Sequence, residues 1–257
     1  MAFDANRADF TVGVIGAGAM GQGIVQVSLQ GGMNVVLFDA KKGSAEAGRE
    51  QVIKRLERLV EKGKLTADAV AAMADKVSVA KSLADFSGCH TVVEAIFENL
   101  EVKQQVFSDL ENHVSADCLL TSNTSSLPIG SIARVCKNPE RVAGFHFFNP
   151  VPLMRLVEVI RGPGTEEWVM DGLCALGERM GRTPVKVKDA PGFLVNFGGR
   201  AFTTEGLAVV HEGVATPAQV DAVMRDCGHF RMGPFQLMDL TGIDVNYPVS
   251  MIVHEQY

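Results

Sequence analysis

The chain lacks most of what marks a specialised sequence class. Its five cysteines, Cys89, Cys118, Cys136, Cys174 and Cys227, form no CxxC pair and no Cys/His ligand set. Neither a disulfide framework nor a metal site is therefore written in their spacing, and they read as reduced thiols of a cytoplasmic protein. The opening residues, MAFDANRADF, contain no basic segment followed by an apolar one, so no secretory signal is seen. No uninterrupted apolar run approaches the roughly 20 residues of a membrane span. Positive charge is in deficit: 24 Lys and Arg against 30 Asp and Glu leave −6, which argues against a nucleic-acid surface. Internal repeats and low-complexity tracts are absent as well.

What remains is a globular composition. Of 257 residues, 47% are apolar and 21% charged, enough for a sizeable core in one large domain or two ordinary ones. Short apolar runs suited to buried parallel strands recur at Thr11–Ile15, Val35–Phe38, Thr91–Ile96, Cys118–Thr121 and Val142–Phe147. Helical patterns lie between them. One follows Gly21 and ends at Gly31-Gly32, and another is the charged segment Ser44–Lys62 with Val52, Leu56, Leu59 and Val60 as its apolar stripe. With Thr66–Ala74 and a turn at Gly63 this second segment predicts an αα-hairpin over about 44–75. The alternation predicts a doubly wound α/β (Rossmann), mostly parallel sheet over 1–190. From Asp189-Ala190-Pro191-Gly192 onward helices dominate, and Thr216-Pro217 reads as a helix start, so 191–257 is expected to be a smaller all-α domain.

The segment Gly16-Ala17-Gly18-Ala19-Met20-Gly21 is GxGxxG between a strand and a helix, and Asp39 closes the next strand. Dinucleotide binding needs this arrangement. Gly16 permits the tight turn, Gly18 lets backbone approach a pyrophosphate, and Gly21 lets the helix pack on the strand. The helix N-terminus then faces the phosphates. Asp39 can accept from the adenine ribose hydroxyls and would repel a 2′-phosphate, which favours NAD over NADP, a preference that Lys41 and Lys42 weaken.

His146 ends a predicted strand at the carboxyl edge, where open α/β sheets bind ligands. Glu158 sits between Val157 and Val159 in an equally apolar run, and Pro152 is the midpoint of the two. A reversal centred there brings His146 and Glu158 side by side. A buried carboxylate without a partner is costly, and one beside an imidazole fixes its tautomer and stabilises the imidazolium. From the residues alone two readings stand: a pair that merely satisfies itself, or a general base of the kind that hydride transfer from an alcohol requires. Ser122-Asn123-Thr124-Ser125-Ser126 follows another strand; its serines read either as N-caps of a short helix at Leu127–Arg134 or as donors at the same edge. Asn196 stands just inside the first helix of the second domain.

Together, GVIGAGAMGQGI, VVEAIFENLEVK, SNTSSLPI, GFHFFNPVPLMRLVEVI, DAPGFLVN, EGVATPAQVDAVM and GPFQLMDLTGIDV resemble the L-3-hydroxyacyl-CoA dehydrogenase family in order over nearly the whole chain. The resemblance implies NAD as cofactor and an acyl-CoA thioester as substrate. His146 would be the general base for the 3-hydroxyl proton, Glu158 its orienting carboxylate, and Ser125 and Asn196 donors to the oxygen on the reacting carbon. Glu98, Lys103 and Asn149, with Ser125, would line the cofactor and thioester region. The hairpin would grip coenzyme A, with Lys62 at the matching basic position. A cytoplasmic homodimer through the helical domain is also implied. Phe230, Met232, Phe235, Leu237, Met238 and Leu240 would serve as interface or core, with core expected for most.

The chain departs from that pattern in two places. Phe197-Gly198-Gly199-Arg200 puts two glycines inside a helix, which reads as a close backbone approach or a local break. The end at His254-Glu255-Gln256-Tyr257 falls short of the family's Lys-containing tail, so the helical domain is expected to be incomplete. Two other readings stand beside the resemblance. One is a non-catalytic dinucleotide binder; the other is a β-hydroxyacid dehydrogenase that uses a helix lysine, against which Arg200 stands as a poor proton acceptor.

Overall fold

The computed structural model describes residues 3–244 together with Tyr247, Ser250, Met251 and His254. The chain divides into two compact units, Met1–Asp189 and Ala190–Tyr257. In the first, β1 (Thr11–Ile15), α1 (Ala19–Gln30) and β2 (Asn34–Phe38) lead into the hairpin α2 (Ser44–Glu61) and α3 (Ala67–Asp75). Next come β3 (Val77–Val79), β4 (Thr91–Glu94), α4 (Leu100–Glu111), β5 (Leu119–Ser122), α5 (Ile129–Ala133) and β6 (Val142–Phe147). The unit closes with β7 (Leu156–Arg161), α6 (Glu167–Arg179) and β8 (Thr183–Lys188).

The eight strands form one sheet in the order β3-β2-β1-β4-β5-β6-β7-β8. β3 to β6 run parallel, β7 turns back against β6, and β8 lies parallel to β7. The order reverses between β1 and β4, so a crevice opens at the carboxyl ends of those two strands, the place where such sheets take ligands. Val12, Val14, Val93, Leu119, Ala143 and Phe145 are buried in the middle of the sheet, as strands covered on both faces require.

Several expectations shift in detail. The strand foreseen at Thr91–Ile96 ends at Glu94, because the Glu94 carboxylate accepts from Ile96 N at 2.7 Å and turns the backbone out of the ladder. α1 begins at Ala19, ahead of Gly21. β3 and β8 are additions: β3 has three residues, and β8 alternates exposed lysines with half-buried residues. The capping role considered for Ser125 or Ser126 is not theirs. α5 starts after Pro128, and its first amides, Ile129 N and Gly130 N, donate to the Asp189 carboxylate at 2.9 and 2.8 Å. In the hairpin Gly63 takes φ +67° at the turn, where a side chain would be strained. Arg49 ties the foot of α2 to the carbonyls of Ala74 and Val77.

The second unit contains α7 (Val195–His211), α8 (Pro217–Asp226) and α9 (Pro234–Thr241). Thr216 caps α8 in a capping box with Gln219. The buried Asp221 carboxylate takes the first amides of α9, Phe235 N and Gln236 N. α7 runs unbroken through Gly198 and Gly199, and a Cβ at either would meet nothing within 4 Å, so neither packing nor a break accounts for them. The apolar set needs a correction. Of its six members only Met238 is buried, while Phe230, Met232 and Leu240 are exposed, so core is not the fate of most. The last three residues, Glu255 to Tyr257, lie outside the described ones. Among the described residues no helix is long and apolar enough to cross a membrane.

Candidate active site

The glycine loop joins β1 to α1 at the reversal point. Gly16 has φ +105°, and a Cβ there would lie 2.4 Å from Ala95 O. A Cβ on Gly21 would lie 1.8 Å from Gly16 O. Both glycines are thus demanded by the protein's own packing. Gly18 differs: its Cβ would meet nothing within 4 Å, so this glycine keeps open space in front of the helix N-terminus. Asp39 stands at the end of β2, and its carboxylate accepts from Ala17 N at 2.8 Å and Lys41 N at 2.9 Å. Those two bonds fix the acid beside the loop, and each oxygen has a second lone pair for a ribose hydroxyl. A cavity of about 450 Å³ lies here, walled by Gly16, Gly18, Asp39, Leu83, Ile96 and Phe97. An open glycine, an anchored carboxylate and a mostly apolar slot fit the pyrophosphate, ribose and adenine of a dinucleotide.

The second constellation lies along β6 and β7. Their antiparallel register pairs His146 directly with Glu158. Both side chains are buried, and His146 Nδ1 lies 2.7 Å from Glu158 Oε2. The β6–β7 connection holds the exposed Asn149 and the buried Val151, which packs where a Cβ on Gly23 of α1 would otherwise reach. The carboxyl end of β6 is fastened to the next loop: Phe147 N donates to Asn123 Oδ1 at 2.8 Å.

In that loop, Ser122 to Ser126, the last three residues are gathered by one carboxylate. Glu98 Oε1 accepts from Thr124 Oγ1 at 2.6 Å, Ser125 N at 3.0 Å, Ser126 Oγ at 3.0 Å and Ser126 N at 3.2 Å. The Ser125 hydroxyl lies farther off, at 3.5 Å. Burial pushes the Glu98 carboxyl up, but the Lys103 ammonium and these donors outweigh burial and hold it below the usual carboxylate range. Lys103 takes a different place from the one expected. Its side chain is 1% exposed, with Nζ 2.6 Å from Glu94 Oε1 and 3.3 Å from Glu98 Oε2. It backs Glu98 from the interior instead of lining a surface.

Two candidates lie on other elements. Lys62 is exposed at the end of α2, and Asn196 is the second residue of α7 in the other unit. Sequence reasoning missed Glu94, and it offered Asn123, Thr124 and Ser126 only as members of a donor loop. A signal existed for Glu94: it is a carboxylate inside the apolar run VVEAIF, the same anomaly that drew attention to Glu158.

The fold and the glycine loop define a dinucleotide-binding protein of the Rossmann class. Residues 11–190 match the family model for the 3-hydroxyacyl-CoA dehydrogenase NAD-binding domain, and residues 192–257 match that for the 3-hydroxyacyl-CoA dehydrogenase C-terminal domain. This chain belongs to the 3-hydroxyacyl-CoA dehydrogenase family. Among its relatives is a probable 3-hydroxybutyryl-CoA dehydrogenase of Bacillus subtilis, 41% identical over 94% of this chain and 84% of the relative. The 3-hydroxyadipyl-CoA dehydrogenase of Escherichia coli K12 is 40% identical over 96% of this chain, which spans 52% of that longer protein. The crystal structure of (S)-3-hydroxybutyryl-CoA dehydrogenase from Ralstonia eutropha superposes with a TM-score of 0.93 at 35% identity, covering 96% of this chain and 87% of that one.

Proposed function

We propose that this chain oxidises (3S)-3-hydroxyacyl-CoA to 3-oxoacyl-CoA with NAD, and that His146 is the general base. The observation that carries the mechanism is the in-register, 2.7 Å pairing of His146 with Glu158 at the carboxyl edge. When bound, NAD accepts the hydride released from the carbon that carries the hydroxyl. Gly16 to Gly21 and Asp39 would hold it, with Glu98 and Asn149 near its reacting end. His146 takes the hydroxyl proton on Nε2, while Glu158 keeps Nδ1 protonated and supports the imidazolium that results. Ser125, set in place by Glu98, and Asn196 of the helical unit position the substrate oxygen. Lys62 on the hairpin offers its charge to the phosphates of coenzyme A, and Lys103 contributes through Glu98.

The names of the relatives support a thioester substrate of short or medium length, one of them with a carboxylate at its far end. The exposed Phe230, Met232 and Leu240 support a homodimer through the helical unit, and five free thiols are in keeping with a cytoplasmic setting. NADH oxidation measured with acetoacetyl-CoA, and with a panel of chain lengths that includes ω-carboxylated thioesters, tests the reading. Binding of NADH with no turnover on any of them would establish the non-catalytic alternative. Sedimentation showing only monomer would remove the dimer.

A further inference from the structure

Glu94 has no part in the chemistry proposed above, yet its carboxylate accepts three hydrogen bonds behind the site. It is 1% exposed at the end of β4. Oε1 receives Lys103 Nζ at 2.6 Å and Ile96 N at 2.7 Å, and Oε2 receives Ser122 Oγ at 2.6 Å. Ser122 Oγ in turn accepts from Thr124 N at 3.1 Å, and Glu94 O accepts from Asn123 N at 2.8 Å. Two carboxylates thus share one buried ammonium, and both reach the same loop, Glu94 at its start and Glu98 at Thr124 to Ser126. Burying an acid and a lysine this deeply is costly. A self-contained ion pair would not need the second carboxylate at 3.3 Å or bonds to three separate elements.

We infer that Glu94 is a positioning residue, which holds Lys103 away from full contact with Glu98 and so leaves Glu98 free to set the Ser122–Ser126 loop and its Ser125 beside the cofactor. The inference rests on the proposed function for the role of Ser125, but not for the geometry. Without the Glu94 charge, the ammonium keeps the Ile96 carbonyl at 3.4 Å, and Glu98 is the carboxylate left beside it. Glu98 is then drawn inward off Thr124 and Ser126, and Ser125 shifts with the loop. Misplacement by about 1 Å can cost on the order of a hundredfold in rate.

The test is a double-mutant cycle on the full chain with Glu94→Gln, Lys103→Met and the pair, read by NADH binding and by kcat with acetoacetyl-CoA. Each single variant is expected to weaken NADH binding severalfold and to lower kcat by about ten- to a hundredfold. Because Glu94 acts through Lys103, the double variant is expected to be no worse than the poorer single one. In Lys103→Met, burial of Glu98 is no longer opposed by the ammonium, so NADH binding should weaken on the acid side at a higher pH than in the wild type. A Glu94→Gln variant indistinguishable from wild type in both readouts, or losses that multiply in the double variant, would overturn the inference. If Glu94→Gln does not fold, Ser122→Ala removes one bond of the same carboxylate, and unchanged NADH binding and kcat in that variant would overturn it equally. A wild-type chain that binds NADH without turnover refutes the proposed function alone, because the binding cycle still decides the role of Glu94.

Discussion

His146 and Glu158 face one another across the only antiparallel strand pair of the sheet's described strands, with Nδ1 and Oε2 2.7 Å apart. Twelve residues of separation close to a direct cross-strand pair because the reversal is centred on Pro152. Parallel neighbours could not bring two positions so close in the chain into register, since their crossovers need a dozen or more residues plus the strands themselves. His146→Ala should therefore lower kcat with acetoacetyl-CoA by about 10²–10⁴, the usual worth of a general base. Glu158→Gln keeps an acceptor at Nδ1 but withdraws the charge, so its loss should be smaller than that of His146→Ala. Steady-state kinetics with thermal melts as a folding control check both. A His146→Ala rate within twofold of wild type refutes the assignment.

The three glycines of the fingerprint should separate by phenotype. An Ala at Gly21 drives its methyl into Gly16 O at 1.8 Å, and an Ala at Gly16 meets Ala95 O at 2.4 Å in a left-handed backbone region. Both are expected to lower Tm, at a cost of about 1–3 kcal/mol or more for forced overpacking. Gly18 has φ −72° and open space before it, so Gly18→Ala should cost only about 1 kcal/mol for a poorer helix N-cap while obstructing the pyrophosphate. Calorimetry paired with NADH titration reads the contrast. A Gly18→Ala variant that binds NADH as the wild type does would show that the open space is not the cofactor's.

The glycine loop and the His–Glu pair were legible because each is encoded locally, one by a strand–turn–helix spacing and the other by two polar residues in apolar runs, symmetric about a turn. The Glu94–Lys103–Glu98 cluster was not, because it joins the end of β4 and the loop after it to a helix, and no spacing along the chain records which acid a buried lysine will choose. Ser125 and Ser126 looked like caps because serine favours that role, yet Pro128 sets the start of α5 and the distant Asp189 takes its amides. Hydropathy likewise misplaced Phe230, Met232 and Leu240, since an apolar residue on a small helical unit is inside only where a neighbouring helix covers it.

Asp39 serves two purposes that substitution should expose together. Its oxygens hold Ala17 N and Lys41 N, so the acid shapes the glycine loop as well as offering its remaining lone pairs to the ribose proposed there. Hydrogen bonds to a charged group are worth about 1.5–3 kcal/mol, which corresponds to roughly ten- to a hundredfold in affinity. Asp39→Ala is expected to lose NADH affinity by that factor. Removing the negative charge also relieves repulsion of a 2′-phosphate near Lys41, so the ratio of kcat/KM for NADH over NADPH should fall. A ratio unchanged from wild type would show that cofactor choice is made elsewhere.

Stability should fall in two steps as the pH drops. The first belongs to His90, whose Nδ1 accepts from Thr11 N at 3.0 Å and whose ring stacks on Phe10 with centroids 5.0 Å apart. Burial, aided by Arg7 and opposed by Asp9, holds the imidazole below its usual range. A base whose folded pKa is depressed binds fewer protons folded than unfolded, so its contribution is present above the unfolded value of about 6.5 and is lost as pH falls from there through the folded value. The second step belongs to Glu98 and Glu111. Burial raises both, but the Lys103 ammonium and the loop donors on Glu98 outweigh it, as do the Lys137 and Asn138 amides with Arg141 on Glu111, leaving both carboxyls below normal. Their contribution is present above the unfolded carboxylate value of about 4.3 and disappears as pH falls through the folded values. Melting curves between pH 8 and pH 3 should show both declines, and His90→Gln, which cannot charge, should abolish the upper one while leaving the lower. Persistence of the upper step in that variant would assign it to another group.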